Sequence, residues 1–243
     1  MPIPHLTVVK NAVIVEQTNG KVVSALKNVR VWFKKDGATR YISHLDLNRV
    51  MTRAIQHSKL PIWHTEGFNP HPFITFALPL SLGFRGEKEA MDMRLLEDIP
   101  YSEVIDKLNN GLPNGIEVYK ITEPVMKPGK IASGKFDIKL TSDDTTLEEF
   151  FFMLRAILAQ ESIEVEKFGK KGSKIIDLKP QIGNYTLEKC DDYVSFVVNL
   201  PAGSVNNVNP TLLITALEKA NNITVDADIT RLDVFNEEGK SFE

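Results

Sequence analysis

The chain of 243 residues contains a single cysteine, Cys190. One thiol closes no internal disulfide, so composition points to a reducing compartment. It also supplies too few thiolates for an iron–sulfur cluster or a cysteine-rich zinc site. Long apolar runs are missing too: the longest, residues 74–80, is far short of the roughly 20 residues a membrane-spanning helix needs. No basic stretch followed by an apolar block stands near the start, so no secretory signal is expected and the chain is read as cytoplasmic. Positive charge is not in excess either. A formal net charge of -3 excludes a uniformly basic nucleic-acid binder but leaves room for a local basic face.

What is present is ordinary globular material, 42% hydrophobic and 25% charged, enough for one large domain or two of usual size. Residues 1–27 read as an appendage with a hairpin, because Asn19-Gly20 is a strong turn signal between Val13–Val15 and Lys21–Ala25. From residue 28 the pattern is regular. Val29–Lys34 alternates as a strand. Ser43-His44-Leu45-Asp46 has the form of a capping box with Asp in place of Glu, and Leu47, Val50, Met51, Ala54 and Ile55 stripe the helix after it. Strands at Ile74–Leu78, Ala90–Leu96 and Ile116–Ile121, with a helix at Tyr101–Asn110, complete a β-α-β-β-α-β order. A second round is read from strand Lys135–Thr141, helix Thr145–Ala159, hairpin Ile163–Phe168 with Lys174–Leu178, strand Tyr193–Leu200, helix Pro210–Ala220 and strand Ile229–Phe235. The fold class expected is therefore α+β: two tandem ferredoxin-like (βαββαβ) domains, 28–123 and 131–243, behind a short N-terminal hairpin. The proline- and glycine-rich link Glu123–Lys130 marks the boundary.

Chemistry concentrates between residues 40 and 90. His44, His57, His64 and His71 lie within 28 positions, but none are spaced to share a helix face as metal ligands, so no metal is expected. His44 stands at a helix start, where free N–H groups favour an anion, with Arg40 just before it. Arg49, Arg53 and His57 repeat every four residues on the face opposite the apolar stripe. Residues 28–90 carry nine Lys/Arg against five Asp/Glu, a local +4 that fits a phosphate-bearing partner. Gly67-Phe68-Asn69-Pro70-His71-Pro72 is a stiff loop whose prolines hold Asn69 and His71 extended. Phe68, Phe73, Trp63 and Phe76 around it are either core or a stacking platform for unpaired bases. In the second half, Lys170, Lys171 and Lys174 crowd a hairpin tip that would grip a phosphate backbone or simply keep an edge soluble.

Three runs carry a resemblance: Arg40–Arg49, Gly67–Pro72 and Phe76–Gly83. They resemble the radical-SAM-linked proteins, a bacterial family of unassigned activity found free-standing or fused behind a radical S-adenosylmethionine domain. Asp177-Leu-Lys-Pro180 resembles the family's second-half motif, and the likeness spans roughly residues 29–200. Ser43, His44, Asp46, Gly67, Phe68, Pro70, His71 and Pro72 fall on motif positions; His57 and His64 do not. The resemblance implies partnership with a radical S-adenosylmethionine enzyme, and the family's gene neighbourhoods hint at RNA. This chain lacks the Cys-x-x-x-Cys-x-x-Cys that holds such an enzyme's cluster, so it would serve as the partner. The function expected is an accessory or substrate-binding subunit, without a cofactor of its own. It would bind RNA or an RNA-associated protein through Arg40, Ser43, His44, Asp46, Arg49, Arg53 and the loop Gly67, Phe68, Asn69, Pro70 and His71. Two alternatives stand beside it: an RNA-processing enzyme with His44 and His71 as general acid and base, and a pure protein-interaction module.

Overall fold

The computed structural model describes the backbone of strands β1 (Thr7–Val9) and β2 (Ala12–Ile14), and residues 26–169 and 172–243. β1 and β2 pair antiparallel, with Thr7 opposite Ile14; the hairpin expected around Asn19-Gly20 lies outside the described residues. The chain divides into two compact units, one comprising residues 1–128 with Glu243 and the other residues 129–242. It is a mixed α+β protein, with four helices and antiparallel strand pairing among the described residues.

The first unit runs β3 (Lys27–Lys35), α1 (His44–Ser58), β4 (Ile74–Phe76), β5 (Arg85–Leu95), α2 (Tyr101–Asn109) and β6 (Ile116–Thr122). Its strands lie in the order β6-β3-β5-β4, all antiparallel. Alternation along β3 and β5 sends Val29, Val31, Phe33, Met91, Met93 and Leu95 into one core, where Leu47, Met51 and Ile55 of α1 and Val104 and Leu108 of α2 meet them. Ser43 caps α1 as the sequence suggests, its hydroxyl accepting from the Asp46 backbone N–H at 3.1 Å. β5 begins five residues earlier than its apolar pattern, because Arg85–Glu89 pair with the sheet although they are mostly charged. Glu89 is buried, and its carboxyl folds over Gly86, where an added Cβ would stand 2.5 Å from Oε1.

The second unit runs β7 (Ile131–Thr141), α3 (Leu147–Leu158), β8 (Glu164–Gly169), β9 (Gly172–Asp177), β10 (Tyr185–Lys189), β11 (Val194–Pro201), α4 (Thr211–Asn221) and β12 (Asp226–Asn236). Its sheet has the order β10-β11-β7-β12. The hairpin β8–β9 stands apart from that sheet, and β10, a strand that the periodicity does not show, pairs with β11 instead. The core-facing residues of α3 are Phe150, Leu154, Ile157 and Leu158; Leu147 and Phe151, expected inward, are only half-buried. Thr146 and Glu149 close a reciprocal capping box at the start of α3.

The motif Asp177–Pro180 ties the hairpin to the unit. The Asp177 carboxylate accepts from the backbone N–H of Ile163 at 2.8 Å and of Lys179 at 2.9 Å, which holds its pKa below the usual carboxylate value. Leu178 is buried, and the Lys179 ammonium donates to the carbonyl of Leu158 at the end of α3. These roles are structural: a staple at the hairpin root and a cation on a helix C-terminus.

Candidate functional site

The start of α1 is built by the turn before it. Residues Gly37–Tyr41 form one 3-10 turn, closed by Ile42 N–H on the Thr39 carbonyl at 3.1 Å. The buried Lys35 reaches up from β3 and donates to the carbonyls of Arg40 and Ile42, both at 3.3 Å. The Gly83 N–H donates to the Arg40 carbonyl at 2.8 Å, which lays the loop before β5 beside this turn. His44 packs its ring edge-on to Phe76 of β4, with centroids 5.0 Å apart. Two of the three motif segments, Arg40–Arg49 and Phe76–Gly83, therefore meet around one helix start.

His44 is not poised as an acid. Burial, then the nearby Lys35 ammonium, hold its pKa below the ordinary 6.5. Its Nδ1 is buried without a hydrogen-bond partner among the described residues, and the positive end of α1 further disfavours a second proton. The folded chain thus prefers the neutral ring more than the unfolded chain does. That contribution is intact above pH 6.5 and is lost as pH falls through it toward the lower folded value. An NMR titration is expected to show the His44 ring protonating below 6.5. His44→Gln should flatten part of the stability loss on acidification, and a His44 midpoint at or above 6.5 would refute this reading.

Asp46 already supplies the negative charge that the helix start favours. It accepts from the Ser43 hydroxyl at 2.7 Å and from Arg49 at 2.9 Å, and these bonds lower its pKa. Arg49, Arg53 and His57 are exposed on the outer face of α1, as their spacing implies. The Arg40 guanidinium lies over the Tyr41 ring, 4.9 Å from its centroid.

The loop has a hydrogen-bonded neck. Phe73 N–H donates to the Trp63 carbonyl at 3.0 Å and Thr65 N–H to that of His71 at 2.9 Å. The His71 Nδ1 lies 3.0 Å from the Asn69 carbonyl and 3.1 Å from the Thr65 hydroxyl. Gly67 takes φ 130°, open to glycine and strained for other residues. Phe68, Asn69, Pro70 and His71 are exposed, and Phe68 fully so; Trp63, Phe73 and Phe76 are packed. His44 and His71 share no hydrogen bond or ring contact among the described residues. Their partners are Phe76 and Lys35 for the one, Thr65 and Asn69 for the other.

Two features were not visible in the sequence. Tyr41, Leu45 and Leu82 are 65%, 69% and 63% exposed, so the motif surface is apolar as well as basic. A pocket of about 640 Å³ opens on the opposite side of the β3–β5 sheet, with Arg94, Thr75 and Met126 in its lining. Alternation of Asn28, Arg30, Asp92 and Arg94 against the core residues was the signal available for it. In the second unit Lys174 is exposed and faces Lys167 across the hairpin, while Lys170 and Lys171 lie outside the described residues. No group of three or more His, Cys, Asp or Glu converges as a metal site among the described residues, and no helix described is long and apolar enough to cross a membrane.

Two solved structures are similar at low scores. One is an unknown protein from Galdieria sulphuraria, 10% identical over 85% of this chain and 98% of that one, with a TM-score of 0.25. The other is described as "putative glycine cleavage system transcriptional repressor", 12% identical over 85% of this chain and 98% of that one, with a TM-score of 0.23. At these scores neither bears on the fold, which rests on strand order. No curated protein matches the chain. A family model does match, over residues 28–210, a span that holds all three motif segments and Asp177–Pro180. The chain belongs to that family, DUF2344, described as an uncharacterized protein conserved in bacteria.

Proposed function

We propose that the chain is a non-catalytic accessory module whose first unit docks a partner protein through the surface around the start of α1. The observation that carries this is the exposure of Tyr41, Leu45 and Leu82 beside Arg40. Large apolar side chains gathered on a polar surface mark protein contact sites, and an arginine stacked on tyrosine is a usual companion there. The resemblance to radical-SAM-linked proteins makes a separate radical S-adenosylmethionine enzyme the partner to test. The scaffold in this reading is two tandem ferredoxin-like units. In support, each sheet places its fourth, first, third and second strands side by side, with β8–β9 as an insertion in the second unit.

The experiment is size-exclusion chromatography of the purified chain with the radical S-adenosylmethionine enzyme of the same bacterium. Co-elution is expected. Leu45→Glu with Leu82→Glu should separate the two proteins while leaving the circular dichroism unchanged, because both side chains are exposed. Separate elution of the unmodified proteins, or a complex indifferent to both substitutions, overturns the reading.

RNA is the second reading, favoured by a fully exposed Phe68 on a stiff loop and by exposed Arg49 and Arg53. A base stacked on Phe68 would contribute about 1–3 kcal/mol. Fluorescence anisotropy with single-stranded RNA tests it: binding should weaken steeply with salt and fall about tenfold or more in Phe68→Ala. A paired general acid and base is not supported, since His44 and His71 occupy separate environments.

A further inference from the structure

We propose that the first unit carries a binding site for a small organic anion with an apolar body, in the pocket on the sheet face turned away from α1 and α2. This goes beyond the docking surface and uses different residues. Val29, Met91 and Met93 project into the helix-covered core, so Asn28, Arg30, Asp92 and Arg94 lie on the other face. Register sets Arg94 opposite Asn28, and Asp92 opposite both Arg30 and Thr75. The segment from Glu123 to Pro128 also lines the cavity of about 640 Å³. That is within the range of small-molecule sites, and far more than a bare phosphate fills.

Three donors converge on it. Arg94 spends only Nε internally, on the Asn28 side-chain oxygen at 3.0 Å. Its guanidinium rests against Phe73 and Trp63, 4.5 and 5.1 Å from their centroids, which fixes its plane. Its two terminal nitrogens, the Asn28 amide nitrogen and the Thr75 hydroxyl have no hydrogen-bond partner among the described residues. Asp92 is already neutralised by Arg30, at 2.7 and 2.8 Å, and Lys27 is held by Asp98 at 2.6 Å. Among the described residues, the charges left to a ligand are Arg94 and Lys127 against Glu123. Two parallel N–H groups on a fixed plane match a carboxylate or phosphate edge. Phe73, Pro124, Val125 and Met126 supply apolar walls for the remainder of the ligand.

The probes are 8-anilino-1-naphthalenesulfonate and its uncharged relative N-phenyl-1-naphthylamine, titrated by fluorescence into the full chain. Arg94→Gln is expected to weaken the sulfonate about tenfold or more while changing the uncharged probe little. Thr75→Trp, at an exposed position, adds bulk to the wall and should weaken both. Competition then assigns the head group: phenyl phosphate or phenylacetate should displace the sulfonate, and the stronger competitor names it. Equal sulfonate affinity in all three proteins overturns the proposal. So does parallel weakening of both probes in Arg94→Gln, or failure of both competitors at millimolar concentration. Circular dichroism of each variant excludes misfolding as the cause.

Discussion

Arg30→Ala is expected to lower the unfolding free energy by about 3–5 kcal/mol, read from the urea midpoint. The Arg30 side chain is 0% exposed and grips Asp92 with two hydrogen bonds, while a terminal nitrogen donates to the Met126 carbonyl at 2.8 Å. Alanine removes all three bonds and leaves a carboxylate with only 20% of its side chain in water. That residual access lets Asp92 recover part of its hydration, which places the loss toward the lower end of the range. The ion pair itself is not what stabilises most; the orphaned partner is what costs. Arg30→Met with Asp92→Leu should therefore recover much of the stability that Arg30→Ala loses. A loss below about 1 kcal/mol in the single variant would show that the pair is dispensable.

Phe196→Ala should cost a similar amount, about 3–5 kcal/mol, by a different route. Phe196 is 0% exposed in β11, flanked by Leu187 of β10 and Ile138 of β7, with the Tyr185 ring 5.7 Å away. Its truncation loses transfer free energy and leaves a cavity that a strand paired on both sides cannot collapse. Phe168→Ala is the control: the same side chain, 76% exposed on the β8–β9 hairpin, should change stability by less than about 0.5 kcal/mol. Comparable losses at the two positions would contradict the core assigned to the second unit.

Much of this architecture was legible where apolar period and burial coincide. Leu47, Met51, Ala54 and Ile55 read as one stripe and are one stripe, and Ser43 reads as a cap and is one. The first half of β5 was hidden because Arg85, Glu87, Lys88 and Glu89 alternate charge rather than hydrophobicity. β10 was hidden because an edge strand with mostly exposed residues has no apolar rhythm to show. At the motif surface, the sequence singled out residues without showing their setting. Phe68 looks like its packed neighbours Phe73 and Phe76, and only the Thr65–His71 neck reveals that it points outward. The Arg94 pocket escaped notice because its residues are spread over β3, β4, β5 and the segment after β6, brought together by register alone.

The β8–β9 hairpin is anchored at its root, where Asp177 bridges Ile163 and Lys179 and where Ile163, Val165 and Leu178 are buried, and further along by the Lys167 ammonium, which donates to the Asn207 carbonyl at 2.7 Å. Whatever the far end contributes, the unit does not depend on it for closure of its sheet. Evolution can then lengthen, shorten or recharge that end at little thermodynamic risk. An epitope grafted there should leave the remainder of the chain folding as before, and kindred bacterial chains are expected to diverge most at that place.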